Sequence, residues 1–453
     1  MEINGQLISK YNKPVPRYTS YPTVPYWDAG IDIALWQENL KKRFDKYNST
    51  SGISLYIHLP FCESLCSYCG CNKRITTNHK VEEEYLAAIK REWSLYLNVL
   101  GAEPVLRELH LGGGTPTFFS PQNLESLMGF LLGTVHVHPD SEFSFEGHPN
   151  NTTYEHLEAL YNFGFQRVSF GVQDNDPYVQ RLINRIQPFE NVERAVNDAR
   201  SLGYKSVNFD LIYGLPGQTL QSVERTMEQV LKLMPDRIAY YSYAHVPWVG
   251  KGQRLFNEAD LPSPSLKLAL YQSGKRILTA NGYMDVGMDH FALPTDDLYL
   301  ARINGGLHRN FMGYTTQNTA MLLGLGVSSI SDSGTAFAQN HKDLNSYYRD
   351  ISLGNLAVEK GYFLTKEDQV FKKYILDIIC RGETVFGKET LPLLKEIVFP
   401  QLELLAADGL ITWNSTGLQV TDAGFSFVRN ICAAFDLHLM QNMQVKPQFS
   451  KAV

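Results

Sequence analysis

Four of the six cysteines in this 453-residue chain fall within ten residues: Cys62, Cys66, Cys69 and Cys71. The first three are spaced Cys-x3-Cys-x2-Cys and directly follow an apolar run, Ile53–Leu59. A structural zinc site usually draws on two Cys-x2-Cys halves, and no second half is present here. Three thiolates in one tight loop suit an iron–sulfur cubane in which one iron keeps no protein ligand. An iron left open in this way can be chelated by the amino and carboxylate groups of S-adenosylmethionine. One electron from the cluster then breaks the sulfonium S–C5′ bond and yields a 5′-deoxyadenosyl radical. The cofactors carry that chemistry, and the protein supplies position and shielding. The competing reading of the same residues is a zinc clip.

Other residues gather around this loop in the order of the chain. Gly112-Gly113-Gly114-Thr115-Pro116-Thr117 closes a second apolar run, and consecutive glycines let a backbone approach a ligand closely with its N–H groups. A phosphate loop would need a following Gly-Lys-Ser/Thr, which is missing. Glu146 ends a third run, Gln173 follows a fourth, Asp210 lies near the end of a fifth and Ala244 follows a sixth. Polar side chains there are candidates for ligand contact or for a plainer role at a barrel rim.

The six runs are Ile53–Leu59, Leu106–Leu111, Glu142–Glu146, Arg167–Val172, Ser206–Ile212 and Arg237–Tyr243. Helical periodicity separates most of them, as in Tyr85, Leu86, Ile89, Trp93, Leu97 and Leu100, in Tyr154–Phe163, in Asn191–Leu202 and in Thr219–Leu233. Strand alternating with helix predicts an α/β fold with parallel strands, an incomplete (β/α)6 barrel whose chemistry sits at the C-terminal strand ends. A Pro/Tyr/Arg-rich arm, Pro14 to Pro22, precedes the barrel. From about Gly361 two helical stretches, Lys366–Ile379 and Pro392–Ala407, lead to a hairpin over Leu410–Thr421, a mostly helical, winged-helix-like module. The expected division is an arm over the active site at 1–35, the barrel and its extension at 36–350, and a C-terminal helical domain at 351–453.

A net charge of −6 and nine Lys/Arg against ten Asp/Glu from Gly361 onward give no footprint for nucleic acid. With 44% apolar and 19% charged residues the composition is that of a globular protein, and no run is long enough to span a bilayer. No signal peptide opens the chain, so the expectation is a cytoplasmic protein without a membrane partner. Cys380 and Cys432 sit in apolar runs and read as buried core thiols.

The cysteine spacing after a first barrel strand, with the aromatic Tyr68 before the third cysteine, resembles the radical S-adenosylmethionine superfamily. Within it, Cys69-Gly70-Cys71-Asn72-Lys73, the arm Pro16–Thr23, Asn208–Pro216, Gly287–Ala292, Leu307–Phe311, Gly313–Gln317 and Gln448-Phe449-Ser450 resemble the oxygen-independent coproporphyrinogen III oxidases. The resemblance implies two S-adenosylmethionine molecules and a [4Fe–4S] cluster on Cys62, Cys66 and Cys69. Cys71 is left out, because a closed cluster would have no place for the sulfonium cofactor. The first cofactor would lie against Tyr56, Gly113, Glu146 and Ile330. The second would lie against Tyr68, Gly114, Thr115, Gln173, Arg185, Asp210 and Ala244. Two departures stand out: Tyr68 where Phe is common, and Gly-His-Pro-Asn after Glu146 where some members have Val-Asp-Pro. The implied reaction turns two propionates of coproporphyrinogen III into vinyl groups, with an electron donor such as flavodoxin or ferredoxin and a monomeric enzyme. Arg17 and Arg309 are candidate propionate anchors, with His290 and His308 as polar contacts, and Tyr56 and Glu146 stand with the two arginines as candidate catalytic residues. A heme chaperone, a porphyrin-modifying radical methyltransferase and a non-enzymatic iron–sulfur or zinc protein are the rival classes.

Overall fold

The computed structural model describes residues 5–247, 251–441 and 449, so Gln448 and Ser450 of the tail motif lie outside the described residues. The six runs form six parallel strands: β1 Ile53–Leu59, β2 Val105–Gly113, β3 His136–Gly147, β4 Phe165–Gln173, β5 Ser206–Tyr213 and β6 Arg237–Ser242. They pair in chain order, with helices between them at Val81–Leu100, Pro121–Leu132, Tyr154–Asn162, Phe189–Leu202 and Leu220–Leu233. β3 extends further at both ends than the apolar run Glu142–Glu146 indicated. A seventh parallel strand, β7 Met321–Leu325, pairs with the outer edge of β1. It comes from the far side of the sequence, which is why no periodicity announces it. Antiparallel strands continue the sheet beyond β7 (Ile330–Asp332, Ala336–Asn340, Val358–Phe363) and beyond β6 (His290–Ala292, Met284–Gly287).

The strands alternate with period two. One set faces the helices and builds the main core: Ile53, Leu55 and Ile57; Leu109 and Leu111; Phe143 and Phe145; Val168 and Phe170; Val207 and Phe209; Ile238 and Tyr240. The other set faces the barrel lumen and is polar: Ser54, Tyr56 and His58; Glu108 and His110; Glu142, Ser144 and Glu146; Arg167 and Ser169; Asn208 and Asp210. A closed barrel of eight fills its interior with branched apolar side chains. Here the lumen carries charge and hydrogen-bonding groups instead.

The floor of the lumen is stitched shut. Arg167 Nη2 lies 2.5 Å from Glu142 Oε1, and Arg237 Nε lies 2.6 Å from Asp296 Oδ1. Burial pushes the Glu142 carboxyl up, but Arg167 and Arg237 outweigh it and bring it down to about 2. The hairpin His308–Asn310/Gly313–Thr315 continues into residues that plug this end: Thr315 Oγ1 donates to Glu108 Oε1 at 2.5 Å and Thr316 Oγ1 to Glu142 Oε2 at 2.8 Å.

A second apolar core joins the arm to the C-terminal module, and Ile8, Tyr11, Tyr18 and Tyr21 pack with Phe371, Tyr374, Ile378, Phe427 and Phe435. Tyr18 Oη donates to Asp436 Oδ2 at 3.1 Å, and Arg429 Nε donates to the Pro16 carbonyl at 3.1 Å. The module itself runs from helix Lys366–Arg381, capped by Thr365, to a three-stranded sheet in which Gly417–Val420 is flanked by Glu383–Val385 and Ile411–Asn414. The outer strand Glu383–Val385 extends the hairpin read from sequence. The helix expected over Pro392–Ala407 is interrupted by a π turn at Leu394–Val398 before Phe399–Ala407. Cys380 and Cys432 are buried in this core, and burial raises both thiols, Cys380 to about 12. No helix among the described residues is long and apolar enough to cross a membrane.

Glu92, fully buried on the first barrel helix, ties the loop after β7 to that helix. Its carboxylate accepts from Gly326 N at 2.7 Å, Tyr347 Oη at 2.7 Å and Asn340 Nδ2 at 2.6 Å. Burial raises its carboxyl to about 7, opposed by these three donors. Three donors converge on a group that only accepts when ionised. Glu92→Gln therefore sets an N–H against a donor and is expected to cost about 1–3 kcal/mol, read as a lower midpoint in urea unfolding at pH 8. An unchanged midpoint would show that the loop does not depend on this clamp.

Candidate active site

Strand ends and the loops after them bring the residues singled out in sequence into two adjoining chambers. The cysteine loop leaves β1 and folds across the C-terminal end of the lumen. It bounds a cavity of about 480 Å³ lined by Cys62, Cys66, Cys69, Cys71, Tyr68, Gly113, Gly114, Thr115, Glu146, Gln173, Arg185 and Asp210. Beside it a cavity of about 260 Å³ is lined by Tyr56, His58, His110, Gly113, Glu146 and Ile330. Glu146, Gly113 and Cys71 belong to both walls. Ala244 lines neither cavity; its carbonyl, with that of Tyr68, accepts from Gln253 Nε2 at 3.2 and 3.0 Å.

Each wall is held from behind. Lys73 Nζ donates to the Cys69 carbonyl at 3.1 Å, Thr115 Oγ1 lies 3.3 Å from Cys62 Sγ, and Arg185 Nη1 lies 3.5 Å from Cys66 Sγ. Arg185 also donates through Nη2 to the Gly171 carbonyl, while its buried Nε has no partner. Burial raises the Cys62 thiol to about 11. Cys69 is brought down to about 6, chiefly by the Cys71 side chain, with Lys73 helping against burial. The glycines are sterically required: a Cβ on Gly114 would stand 2.6 Å from Pro60 C, and one on Gly113, whose φ is +118°, would meet the His58 ring at 2.9 Å.

Glu146 accepts from Gly113 N at 3.2 Å, with His110 Nε2 3.6 Å away. Burial alone would raise its carboxyl; the nearby His110 ring, the Gly113 N–H and His58 outweigh it and hold it below the usual carboxylate range. The Tyr56 ring stacks on His110 at 6.0 Å, and Tyr56 Oη meets His58 Nδ1 at 3.1 Å. Asp210 accepts from Ser169 Oγ at 3.0 Å and Asn208 Nδ2 at 3.1 Å, and burial followed by the charge of Glu146 raises it to about 6. His58, His110 and Tyr241 were not singled out in the sequence, and Lys73 stood there only as a member of a motif, without a role. The lumen-facing alternation of β1, β2 and β6 is the signal that would have found three of them.

The nominated arginines and His290 lie at the open side of the barrel, under the arm and the C-terminal module. Arg17 Nη1 pairs with Asp289 Oδ2 at 3.1 Å, and its guanidinium lies 5.6 Å from the Tyr241 ring centre. Arg309 is buried against the Tyr314 ring at 4.7 Å, and its Nε and Nη1 have no hydrogen-bond partner. His290 packs edge-on against Tyr241 and Tyr314, and burial, then Arg309 and Arg17, bring its ring down to about 3, so it is neutral. Its Nδ1 is likewise buried without a partner. His308 lies on the far side of the hairpin, toward Lys372 and Asp332.

Three thiols on one loop, a polar lumen at the C-terminal strand ends and an ionised carboxylate beside them define a radical S-adenosylmethionine barrel. A family model described as the Radical SAM superfamily matches residues 56–230. The oxygen-independent coproporphyrinogen III oxidase of Pseudomonas aeruginosa is 41% identical over 445 residues, 96% of each chain. That of Escherichia coli is 39% identical over 457 residues, 99% of this chain and 98% of its own. A solved structure described as coproporphyrinogen III oxidase from Escherichia coli, a radical SAM enzyme, superposes with a TM-score of 0.89 at 38% identity, covering 97% of this chain and 100% of that one. This chain belongs to the oxygen-independent coproporphyrinogen III oxidase family, and as a radical SAM enzyme it employs S-adenosylmethionine and a [4Fe–4S] cluster. The residues present fit that group. The thiols stand on one loop beside a cavity, and among the described residues no three His, Cys, Asp or Glu side chains converge on one ion. A cubane takes each thiolate at a different corner and needs no such convergence.

Proposed function

We propose that the chain converts coproporphyrinogen III to protoporphyrinogen IX by oxidative decarboxylation of two propionates, without oxygen. One observation carries this reading: a cysteine loop opens on a polar, enclosed lumen in a chain alike over nearly its whole length to the oxidases named above. Cys62, Cys66 and Cys69 would hold the cluster. Tyr56, Gly113, Glu146 and Ile330 would hold one S-adenosylmethionine, and Tyr68, Gly114, Thr115, Gln173, Arg185, Asp210 and Ala244 a second. Two adjoining chambers with Glu146 in their common wall support two cofactor molecules, although Ala244 lines neither.

When bound, the cluster and S-adenosylmethionine would supply one-electron radical chemistry for removing a hydrogen atom from the propionate carbon next to the ring; loss of carbon dioxide and of one electron to an external acceptor would then leave the vinyl group. The protein's part is position and exclusion. Lys73, Thr115 and Arg185 fix the cysteine loop, and Glu146 offers its charge to a cationic cofactor group. The arm and the C-terminal module cover the open side of the barrel, which keeps water and oxygen from reactive intermediates. Arg309 is an anchor for a substrate propionate, since a buried guanidinium with unsatisfied N–H groups calls for an anion. Arg17 already has Asp289, and its second role is to position Tyr241. His290 is a neutral donor beside them. One chain lines both chambers, so a monomer suffices. A flavodoxin or ferredoxin would deliver the electron, and a reducing cytoplasm keeps such thiols available.

The test is anaerobic turnover of coproporphyrinogen III by reconstituted enzyme with S-adenosylmethionine and a one-electron reductant. Protoporphyrinogen IX formed together with 5′-deoxyadenosine is the expected result. 5′-Deoxyadenosine without decarboxylated product would move the protein to the methyltransferase or chaperone class.

Two further results are expected. Asp210 releases its proton at about 6 in the free enzyme. If it meets the second cofactor as a carboxylate, binding there weakens about tenfold for each pH unit below that value. Calorimetric titration at pH 5 and pH 7.5 would read this, and an Asp210→Asn protein that kept the same pH dependence would exclude Asp210 as its source. Deleting residues 1–25 is expected to leave cluster binding intact and abolish decarboxylation, because the arm's buried side chains belong to the second core and not to the barrel's. Full activity in the truncated enzyme would show that the arm is no lid.

A further inference from the structure

Below the two chambers, toward the N-terminal ends of β1 and β7, lies a third cavity of about 210 Å³ between the arm, the plugging hairpin and helix Lys366–Arg381. Its lining is cationic. Arg309, Lys372 and Arg43 face it, and Asp332 is the one carboxylate lining it among the described residues. Lys372 Nζ already holds Asp332 at 2.9 Å, and Arg43 donates through Nε to the Ala320 carbonyl at 3.1 Å. Arg309 is different. It is 94% buried by its 6% exposure, yet its Nε and Nη1 meet no acceptor. A guanidinium cannot lose its proton to escape burial, and an unpaired buried charge is strongly disfavoured. The guanidinium bordering the chamber is therefore incompletely paired, and an anion in the chamber would compensate its charge.

Its position says what kind of anion. Leu322 lines both this cavity and the upper chamber of Tyr56 and Glu146, so one side chain of β7 stands between the reacting region and the cationic pocket. The floor beneath the rest of the lumen is closed by Thr315, Thr316 and the ion pairs of Glu142. An anion reaching Arg309 from the lumen must come on a short flexible arm attached to a body that stays above. We propose that this chamber is a carboxylate subsite for propionate groups of the macrocycle other than the one being decarboxylated. Arg309 is its principal contact and Lys372 its second. The subsite would set the macrocycle's rotation in the lumen and so decide which side chain is presented to the reacting region. This inference rests on the substrate reading given above.

The experiment is a thermodynamic cycle on the full-length enzyme, with coproporphyrin III and its tetramethyl ester as fluorescent probes. Esterification removes every anion and leaves the macrocycle. The native enzyme is expected to prefer the acid by about tenfold or more, and Arg309→Met to lose most of that preference, as charge-assisted hydrogen bonds require. Lys372→Met, which leaves Asp332 uncompensated, is expected to weaken the acid more than the ester; it also serves should the arginine variant fail to fold. Equal losses for acid and ester in both variants would overturn the subsite. If the native enzyme turns over coproporphyrinogen III and the cycle is nevertheless additive, the subsite alone fails. If it binds neither probe and turns nothing over, the substrate reading fails with it.

Discussion

Cys66→Ser protein is expected to carry no stable iron–sulfur cluster and to form neither 5′-deoxyadenosine nor decarboxylated porphyrinogen above background. In the proposed ligand set Cys62, Cys66 and Cys69 would hold the cluster, and the backbone that presents them is fixed by its own contacts: Lys73 on the Cys69 carbonyl, Ser67 N on the Ile183 carbonyl at 2.9 Å and Cys69 N on the Cys66 carbonyl at 3.2 Å. These backbone contacts do not involve the Cys66 sulfur, so the loop keeps its shape in the variant, which loses a ligand and the 3.5 Å contact of Arg185 Nη1 with that sulfur. Serine oxygen is a harder, far more basic ligand and does not replace thiolate on iron. Disturbing an outer-shell partner alone costs a metal site about 10–100-fold, so removing a ligand should exceed about a hundredfold in rate. Iron content, visible absorption and product analysis check this together. A variant that held a full complement of iron and kept native turnover would remove Cys66 from the ligand set.

Glu146→Gln is expected to spare the cluster and to weaken S-adenosylmethionine binding by about 10–100-fold, with 5′-deoxyadenosine formation falling in parallel. Glu146 stands in the wall common to the two chambers, and His110 and the Gly113 N–H favour its ionised form there. An ionised acceptor facing a cationic partner contributes about 1.5–3 kcal/mol, which glutamine of the same shape forfeits. The Gly113 N–H can still bond to the glutamine oxygen, so the glycine strand end should not move. The informative pattern is therefore unchanged iron with lost cofactor affinity. Native affinity in this variant would remove Glu146 from the cofactor site.

Much of this arrangement was open to reading from local pattern. The spacing of Cys62, Cys66 and Cys69 is a property of one loop, and a loop that short brings its thiols together whatever the rest of the chain does. Asp210, Glu146 and Gln173 could be placed because a polar residue in or just after an apolar run stands out, and strand ends are where parallel βα units open to ligands. The polar face of the lumen was less legible. Ser54, His58, His110 and Ser144 alternate with leucines, isoleucines and phenylalanines, and each strand by itself reads as one apolar run. Only when six strands stand side by side does the alternate set become one continuous polar surface. The seventh strand, Met321–Leu325, carries no turn or helix signal tying it to β1, since its partner lies more than 260 residues earlier in the chain.

The sequence by itself therefore determined the cysteine loop, the number of ordered βα units and the strand ends at which chemistry is possible, because each depends on residues within a few positions of one another. Tertiary structure decided which of those groups share a wall, that Arg17 has a carboxylate partner while Arg309 has none at its Nε and Nη1, and that arm and C-terminal module form one core. Those outcomes depend on contacts between distant segments: Arg17 with Asp289, Tyr18 with Asp436, Leu322 beside the arm's chamber. Pairing of charges is set by the final distance between side chains, and no local spacing encodes that distance.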